Sequence, residues 1–397
     1  MILINFLLAI IFLITTFTVL YNFIFSVAGI FSFKKQFKSG DNFKKIAVFI
    51  HCYHRDRSIL HSAELSLFQN YPSHRYDVIV IGDSLQQSTI NALKKLPIIF
   101  IESYYDVSNK AKALNTAFQK LNNYYDIAVI LDDDNSMKPD FLEKINAAFN
   151  NGCYAVQGHK ISRHDKSSVG ILESMSSEIN NHIFRKGHQA LKLSSAVTGS
   201  GIAFSYEYLK LIVAEMEMEK GFDKELELAL VEDNHRIIYL DDAIIVDENN
   251  QDEERFTHQR AEWIRNQFTY FKHHVVRGFL SVFFGKLDYA NKIAHFALVP
   301  KAILLCFLFL ITCITWFEIK ELVFGFNEWS SLTLLYITAL VIAVPIRFYK
   351  LTTLLAIASL PWSLILIFKE IVTTKITGKA PSTSNTPVNL EKQTHSN

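Results

Sequence analysis

Apolar residues fall along the chain in three regimes. From Ile2 to Phe31 they run almost without a charge, long enough to cross a bilayer. From Ile46 to Gln267 they come as short runs that alternate with amphipathic stretches. After Phe268 long apolar blocks return. In the middle regime the short runs Ile46–Ile50, Tyr76–Ile81, Ile98–Ile101 and Asp126–Asp134 predict strands. Between them Leu60–Gln69, Ser88–Leu93 and Asn109–Leu121 read as helices; the first ends at Asn70-Tyr71-Pro72, a stop signal. Strands alternating with helices imply a parallel α/β sheet. Beyond Asp140 the pattern predicts helices over Phe141–Phe149, Ser167–His188 and Phe222–Val231. It predicts strands over Tyr154–Gly158, Ile237–Leu240 and Ala243–Val246, and within Ala196–Phe204 a tight glycine-bearing turn before an apolar strand.

The stretch Asp126 to Asp140 focuses the chemistry. Five apolar residues, Ile127 to Leu131, run into Asp132, Asp133 and Asp134. Such a run suits a strand buried on both faces, with its carboxylates at the C-terminal end, where open α/β sheets bind ligands. Adjacent acids repel unless a cation neutralises them. Asp132 and Asp134, two apart, project to one side of an extended chain and supply hard oxygen donors for Mg²⁺ or Mn²⁺. An acidic surface turn is the plainer alternative.

Composition changes the picture in two ways. Half of the 397 residues are hydrophobic and the formal net charge is +1, so no global field points to nucleic acid. The lysines that follow the first apolar run, Lys34, Lys35, Lys38, Lys44 and Lys45, place the next segment in the cytoplasm. The four cysteines, Cys52, Cys153, Cys306 and Cys313, show no C-x-x-C spacing, which suits a cytosolic middle without a disulfide framework.

Further local patterns agree in order and spacing. They are Gly82-Asp83-Ser84, Asn109-Lys110-Ala111-Lys112-Ala113-Leu114-Asn115, the aspartate triplet, Thr198-Gly199-Ser200-Gly201, Gly221-Phe222-Asp223 and Gln259-Arg260-Ala261-Glu262-Trp263. As a set they resemble the family 2 glycosyltransferases, in particular the membrane-bound branch of cellulose, chitin, hyaluronan and poly-N-acetylglucosamine synthases. The resemblance covers about Ile46 to Gln267 and implies a GT-A fold, an α/β domain that binds a nucleotide-sugar. It implies that Asp83 contacts the nucleoside, that Lys110 supports the nucleotide, and that Asp132 and Asp134 hold a divalent metal on the diphosphate. Gln259 and Trp263 then close the site over diphosphate and acceptor, with Arg260 or Arg265 standing in for the family's arginine.

The family's catalytic base lies at a helix start, followed by several helical turns before the next strand. Two residues compete, Asp223 and Asp233. Asp233 has the better letters, Val231-Glu232-Asp233, but leaves three residues before Ile237, less than one turn. Asp223 leaves Lys224 to Asn234 and is the expected base; an N-cap role is compatible with it. Three departures from the family pattern stand out. Gly221-Phe222 replaces the usual Thr-Glu, Glu262 replaces an arginine, and the first loop reads His51-Cys52-Tyr53-His54-Arg55 without the usual acid. His51, His54 and His61 raise a metal-cluster reading, which ordinary polar loop histidines explain better.

The expected organisation is an N-terminal transmembrane anchor (1–32), a GT-A domain (46–267), an interfacial amphipathic helix (268–290), a C-terminal transmembrane region (297–370) and a disordered tail (371–397). Spans at Ala297–Phe317, Ser331–Ile346 and Leu351–Phe368 bring the count to four, with the last one suspect as re-entrant. The expected function is inverting, metal-dependent transfer from a cytosolic nucleotide-sugar, UDP-linked by resemblance, to a growing polysaccharide at a bacterial inner membrane. Two alternatives stay open: single-sugar transfer to a polyprenyl phosphate or other lipid, and a non-catalytic membrane subunit.

Overall fold

The apolar runs of the middle regime pair into one eight-stranded sheet. Its strands are β1 (Ile46–Tyr53), β2 (Tyr76–Asp83), β3 (Ile99–Ser103), β4 (Ile127–Asp132), β5 (Asn135–Met137), β6 (Ala155–Ser162), β7 (Ile202–Ser205) and β8 (Ile237–Asp247). They lie in the order β3-β2-β1-β4-β7-β6-β8-β5. The computed structural model describes residues 2–32, 37–38, 40–105, 109–162, 167–216, 221–248, 253–317, 324–362, 364–366 and 368–369.

The continuous apolar character of β1, β2 and β4 follows from burial on both faces. Ile46, Val48 and Ile50 face one core cluster with Val129, Leu131, Phe141 and Ile145. Ala47 and Phe49 face the other with Leu114, Phe118, Ile130 and Phe204. Helices cover both faces: α1 (Ile2–Ile30) precedes the sheet, and α2 (Asp56–Ser66), α3 (Gln87–Leu93), α4 (Lys110–Lys120) and α5 (Phe141–Asn150) connect its first half. In the second half, α6 (Ser168–Asn180) continues through a π-helical segment, Asn181–Gly187, into the short α7 (His188–Ala190). Then come α8 (Tyr206–Glu215) and α9 (Phe222–Glu232).

Several expectations are corrected. The sheet is mixed rather than parallel, because β7 runs antiparallel to both β4 and β6, and β5 antiparallel to β8. His51, Cys52 and Tyr53 belong to β1 rather than to a loop, being held by parallel pairing with Ile81, Gly82 and Asp83. The two strands expected at Ile237–Leu240 and Ala243–Val246 are one strand, β8, whose pairing with β6 shifts register between Gly158 and His159. The apolar strand expected after the Thr198-Gly199-Ser200-Gly201 turn, by contrast, is found as β7 (Ile202–Ser205). Helix α8 and strand β5 had no periodic signal long enough to be predicted.

Residue 267, the expected end of the domain, lies within a 31-residue helix, α10 (Glu253–Phe283). Its end exposes Val276, Phe279 and Phe283, with Phe284 just beyond. An apolar strip of that kind suits a membrane surface. Next come α11 (Leu287–Phe296), α12 (Lys301–Trp316), α13 (Phe326–Ala343) and α14 (Leu351–Ala358). Among the described residues two helices are long and apolar enough to cross a membrane, Asn5–Ile30 and Phe326–Ala343; α11 and α12, bent by 60°, make up to a third. Against the four spans expected, Pro300 breaks the would-be span at Ala297 and caps α12. Leu351–Leu366 is too short to qualify by length. The tail 371–397, with Glu318 and Glu321 of the expected external loop, lies outside the described residues.

Candidate active site

The C-terminal ends of β1, β2 and β4 meet at one edge of the sheet, where His51 is the register partner of both Ile81 and Asp132. Two residues there take left-handed backbone, His54 at φ 53° and Ser84 at φ 56°. Side-chain-bearing residues adopt that region at a cost, and such outliers gather at functional sites.

Strand β4 ends at Asp132, and the chain turns over Asp133 and Asp134 into β5. The triplet is therefore a turn rather than an extended run, and three cations, Lys110, Arg55 and Lys160, gather around its carboxylates. Lys110, at the first position of α4 after the Asn109 N-cap, reaches Asp132 Oδ1 at 2.5 Å. Arg55 Nη1 lies 2.5 Å from Asp134 Oδ2 and 3.4 Å from Asp133 Oδ1. Lys160, on β6, sits 2.9 Å from Asp247 Oδ2 and 4.0 Å from Asp132 Oδ2. Burial alone would raise the Asp132 pKa, but Lys110 and then Lys160 hold it below the usual carboxylate range. Asp133 turns inward, where Ser58 Oγ donates to it at 3.2 Å. Burial there pushes its pKa up to about 7. Burial also raises Asp134.

Asp223 approaches from the other side. Gly199 takes φ +77°, and a Cβ there would stand 2.5 Å from Asp223 Oδ1. Only a glycine leaves the carboxylate room. The Lys110 ammonium, bonded to Asp132, also donates to the Gly199 carbonyl at 2.8 Å. One cation thus joins the aspartate turn to the glycine loop against which Asp223 rests. The loop is itself fixed: Ser200 Oγ accepts from Asp132 N at 3.0 Å, and the buried Gln157 donates to Ser200 O at 3.0 Å. Burial raises the Asp223 pKa, opposed by Lys110 and reinforced by Asp132. For His51, burial and then the Lys110 charge lower the pKa to about 4, so the imidazole is neutral at physiological pH.

Asp83 is fully buried at the end of β2. Its Oδ1 accepts from Ser84 Oγ at 2.9 Å, while Oδ2 has no hydrogen-bond partner among the described residues. A buried carboxylate oxygen left over in this way is costly and suits a ligand. On α10, Arg260 places its guanidinium 4.8 Å from the ring centroid of the exposed Trp263. Arg260 and Glu173 of α6 act on each other electrostatically, and Glu173 also responds to Asp247, Lys160 and Asp134. The Gln259 side chain lies outside the described residues. Asp233 caps the far end of α9, where Tyr208 Oη donates to its Oδ2 at 2.7 Å.

The structure thus brings Lys110, Asp132, Asp134 and Asp223 together, with Asp83 at the neighbouring strand end. It adds Arg55, Lys160 and Asp247, which had no assigned role in the sequence reading. Arg55 was visible only as a departure from a familiar loop. Lys160 and Asp247 lie on β6 and β8, distant in sequence from the triplet, and no spacing connects them to it. Among the described residues no three His, Cys, Asp or Glu side chains gather as a metal cage, so His51, His54 and His61 form none. At the turn, Asp132 and Asp134 are ion-paired to Lys110 and Arg55, and their oxygens are of the kind a divalent ion takes. The Lys160 ammonium already stands as a cation between Asp132 and Asp247.

Comparison with known proteins points the same way. The profile of a family described as "Glycosyltransferase like family 2" matches residues 44–266. The mannosyltransferase PcManGT from Pyrobaculum calidifontis, solved in complex with GDP-Man and Mn²⁺, has a similar fold at TM-score 0.50 and 14% identity. The match covers 84% of this chain and 96% of that one. No curated protein sequence matches the chain.

Proposed function

Because the chain belongs to the family 2-like glycosyltransferases and so transfers a sugar from a nucleotide-sugar, we propose that it does so by inverting displacement at the site around Lys110. One observation carries this reading: a single ammonium joins Asp132 to the loop against which the Asp223 carboxylate lies. Diphosphate ligand and proton acceptor then flank one reacting centre.

Asp83 binds the nucleoside with its spare oxygen, and Lys110 supports the diphosphate. Asp132 and Asp134 would hold Mg²⁺ or Mn²⁺, whose charge offsets that of the leaving diphosphate. The ligand named for PcManGT pairs a nucleotide-sugar with Mn²⁺, in keeping with this division. Asp223 takes the proton of the acceptor hydroxyl as that oxygen bonds to the anomeric carbon. The bond from that carbon to the diphosphate oxygen breaks, and the electron pair leaves with the nucleotide. A single displacement turns an α-linked donor into a β-linked product. The raised pKa of Asp223 makes it a better base than an exposed carboxylate, at the cost of needing a higher pH to be ionised. Gln259, Arg260 and Trp263 cover the acceptor side, where the open face of the indole suits a pyranose ring.

The donor is cytosolic and UDP-linked in this reading, the catalytic domain faces the cytoplasm of a bacterial inner membrane, and the acceptor is a growing polysaccharide. A second acceptor, a lipid phosphate, is favoured by one observation. Arg260 and Lys301, at the start of α12, act on each other electrostatically on the membrane side of the site. Among the described residues the Lys301 side chain donates only to the neutral Asn180 amide oxygen, and it lies over the Phe184 ring.

Asp134→Ala tests the whole assignment. Divalent-dependent binding of the nucleotide-sugar, measured by titration calorimetry, should vanish while the protein stays folded in detergent. Unchanged metal dependence would remove the aspartate turn from the site.

A further inference from the structure

Beneath Asp223 lies a buried charge pair that the transfer step does not use. Lys292, on α11, is fully buried. Its ammonium donates to Glu227 Oε1 at 2.5 Å and to the carbonyls of Ser194 and Ser195, each at 2.8 Å. Those three acceptors use all three of its N–H groups. Glu227 follows Asp223 by four residues on α9, one turn deeper in the helix. Ser194 and Ser195 lie just upstream of Thr198 and Gly199. Lys292 therefore ties together the two chain segments whose tips, Asp223 and Gly199, touch at the site.

Helix α11 grips the Ser194 segment twice. Asp288, one turn before Lys292, accepts from Ser194 N at 2.5 Å, while Lys292 donates to the carbonyl of the same residue. The next residue is tied to β8, since Ser195 N donates to Ile237 O at 3.0 Å. The membrane side joins in: Tyr21 Oη of α1 donates to Asn291 Oδ1 at 2.8 Å and meets His188 Nε2 at 2.9 Å. The other ring nitrogen of His188 lies 3.3 Å from Ser194 O. A buried ion pair adds little net stability over apolar packing of the same volume. What it supplies here is fixed distances between segments.

We propose that Lys292 is a positioning residue for the transfer step, holding Asp223 against the Gly199 loop through Glu227 and the Ser194-Ser195 carbonyls, and so coupling the membrane-proximal helix α11 to the active site. The inference rests on the reading of Asp223 as the base.

The test uses the full chain in detergent and measures nucleotide release from the UDP- or GDP-sugar that the wild-type protein turns over fastest. Lys292→Met should lower kcat by about 10- to 100-fold, the scale of an ångström-sized misplacement. The KM for the donor should stay within about twofold, since the nucleotide is held elsewhere. The pH profile separates positioning from plain destabilisation. The charged and titratable groups facing Asp223 are Lys110 of α4, Asp132 of β4, Lys224 and Glu227 of its own helix, and Tyr270 of α10. Besides releasing the Ser194 and Ser195 carbonyls, Lys292→Met leaves Glu227 without its cation, and that charge should move the acid limb of kcat to higher pH. Adding Glu227→Gln should return the limb while kcat stays low, because the clamp is still missing. Lys292→Arg should recover part of kcat. If Lys292→Met does not fold, the double variant, which leaves no unpaired charge, carries the test, with low kcat and unchanged donor KM expected. Wild-type kcat in either variant, or a loss of kcat with an unmoved acid limb in Lys292→Met, overturns the proposal. Asp223→Asn run alongside keeps the two ideas apart: full activity there would refute the base rather than the clamp.

Discussion

The two ends of helix α9 carry the same residue type in opposite surroundings. At its start, Asp223 lies against Gly199, within the field of Lys110 and Asp132, and burial raises its pKa. At its end, Asp233 caps the helix and accepts from Tyr208, whose ring packs against Tyr154 at 4.9 Å and His235 at 5.2 Å between centroids. One carboxylate is left strained by its neighbours and the other is satisfied by them. Sites of chemistry store such unfavourable burial, and the rest of the fold compensates for it. The letters of the sequence favour Asp233, and the geometry puts Asp223 beside the aspartate turn.

The comparison breaks most readily at Gly199. Gly199→Ala must place a Cβ where the Asp223 carboxylate lies, at a backbone φ of +77°. The account expects a loss of roughly 10²-fold in kcat from displacing the base. A stability loss of about 1–2 kcal/mol should accompany it for the left-handed backbone. Steady-state rates and a melting curve check both. A variant with full activity would mean that the carboxylate has no duty at that spot.

Changing pH sharpens the contrast without mutation. Asp223 must be ionised to accept a proton, so the rate should fall about tenfold per pH unit below its raised pKa. The acid limb of kcat should therefore sit above the ordinary aspartate value of about 3.9. Stability responds with the opposite sign. A carboxyl whose folded pKa is raised contributes stability that is complete below the unfolded pKa and lost as pH rises through the folded one. Low pH should thus stabilise this group while silencing it.

The smallest expected effect is at the other end. Asp233→Asn keeps the shape and weakens one hydrogen bond to Tyr208. The cost should be about 1 kcal/mol of stability, with kcat within about twofold of wild type. Chemical denaturation and the same rate assay measure it.

Much of this was legible before any coordinates. Runs such as Ile46–Ile50 and Ile127–Leu131 announce buried parallel strands because both faces need apolar residues. The distance to Ile237, set against the family's pattern, already put Asp223 and Asp233 at opposite ends of one helix, as α9 has them. The second half of the sheet was harder to read. Strand β6 carries Gln157, His159 and Lys160 after only two apolar residues, so it shows neither alternation nor a long run. Strand β8 hides its continuity in a register shift at Gly158. Arg55, Lys160 and Asp247 reach the aspartate turn through the fold of three separate strands or loops, which no local pattern encodes. The Lys292 clamp is more remote still: it joins α11 to α9 across 65 positions.

The most direct test of the central claim compares single-turnover rates of sugar transfer for wild type, Asp223→Asn and Asp233→Asn in one detergent preparation, at saturating nucleotide-sugar and divalent ion. Asp223→Asn removes the proton acceptor but keeps its size. The account predicts a fall of about 10²- to 10⁴-fold for it, with donor affinity intact and Asp233→Asn close to wild type. A folded Asp223→Asn enzyme that transfers at the wild-type rate, beside an inactive Asp233→Asn, would contradict it.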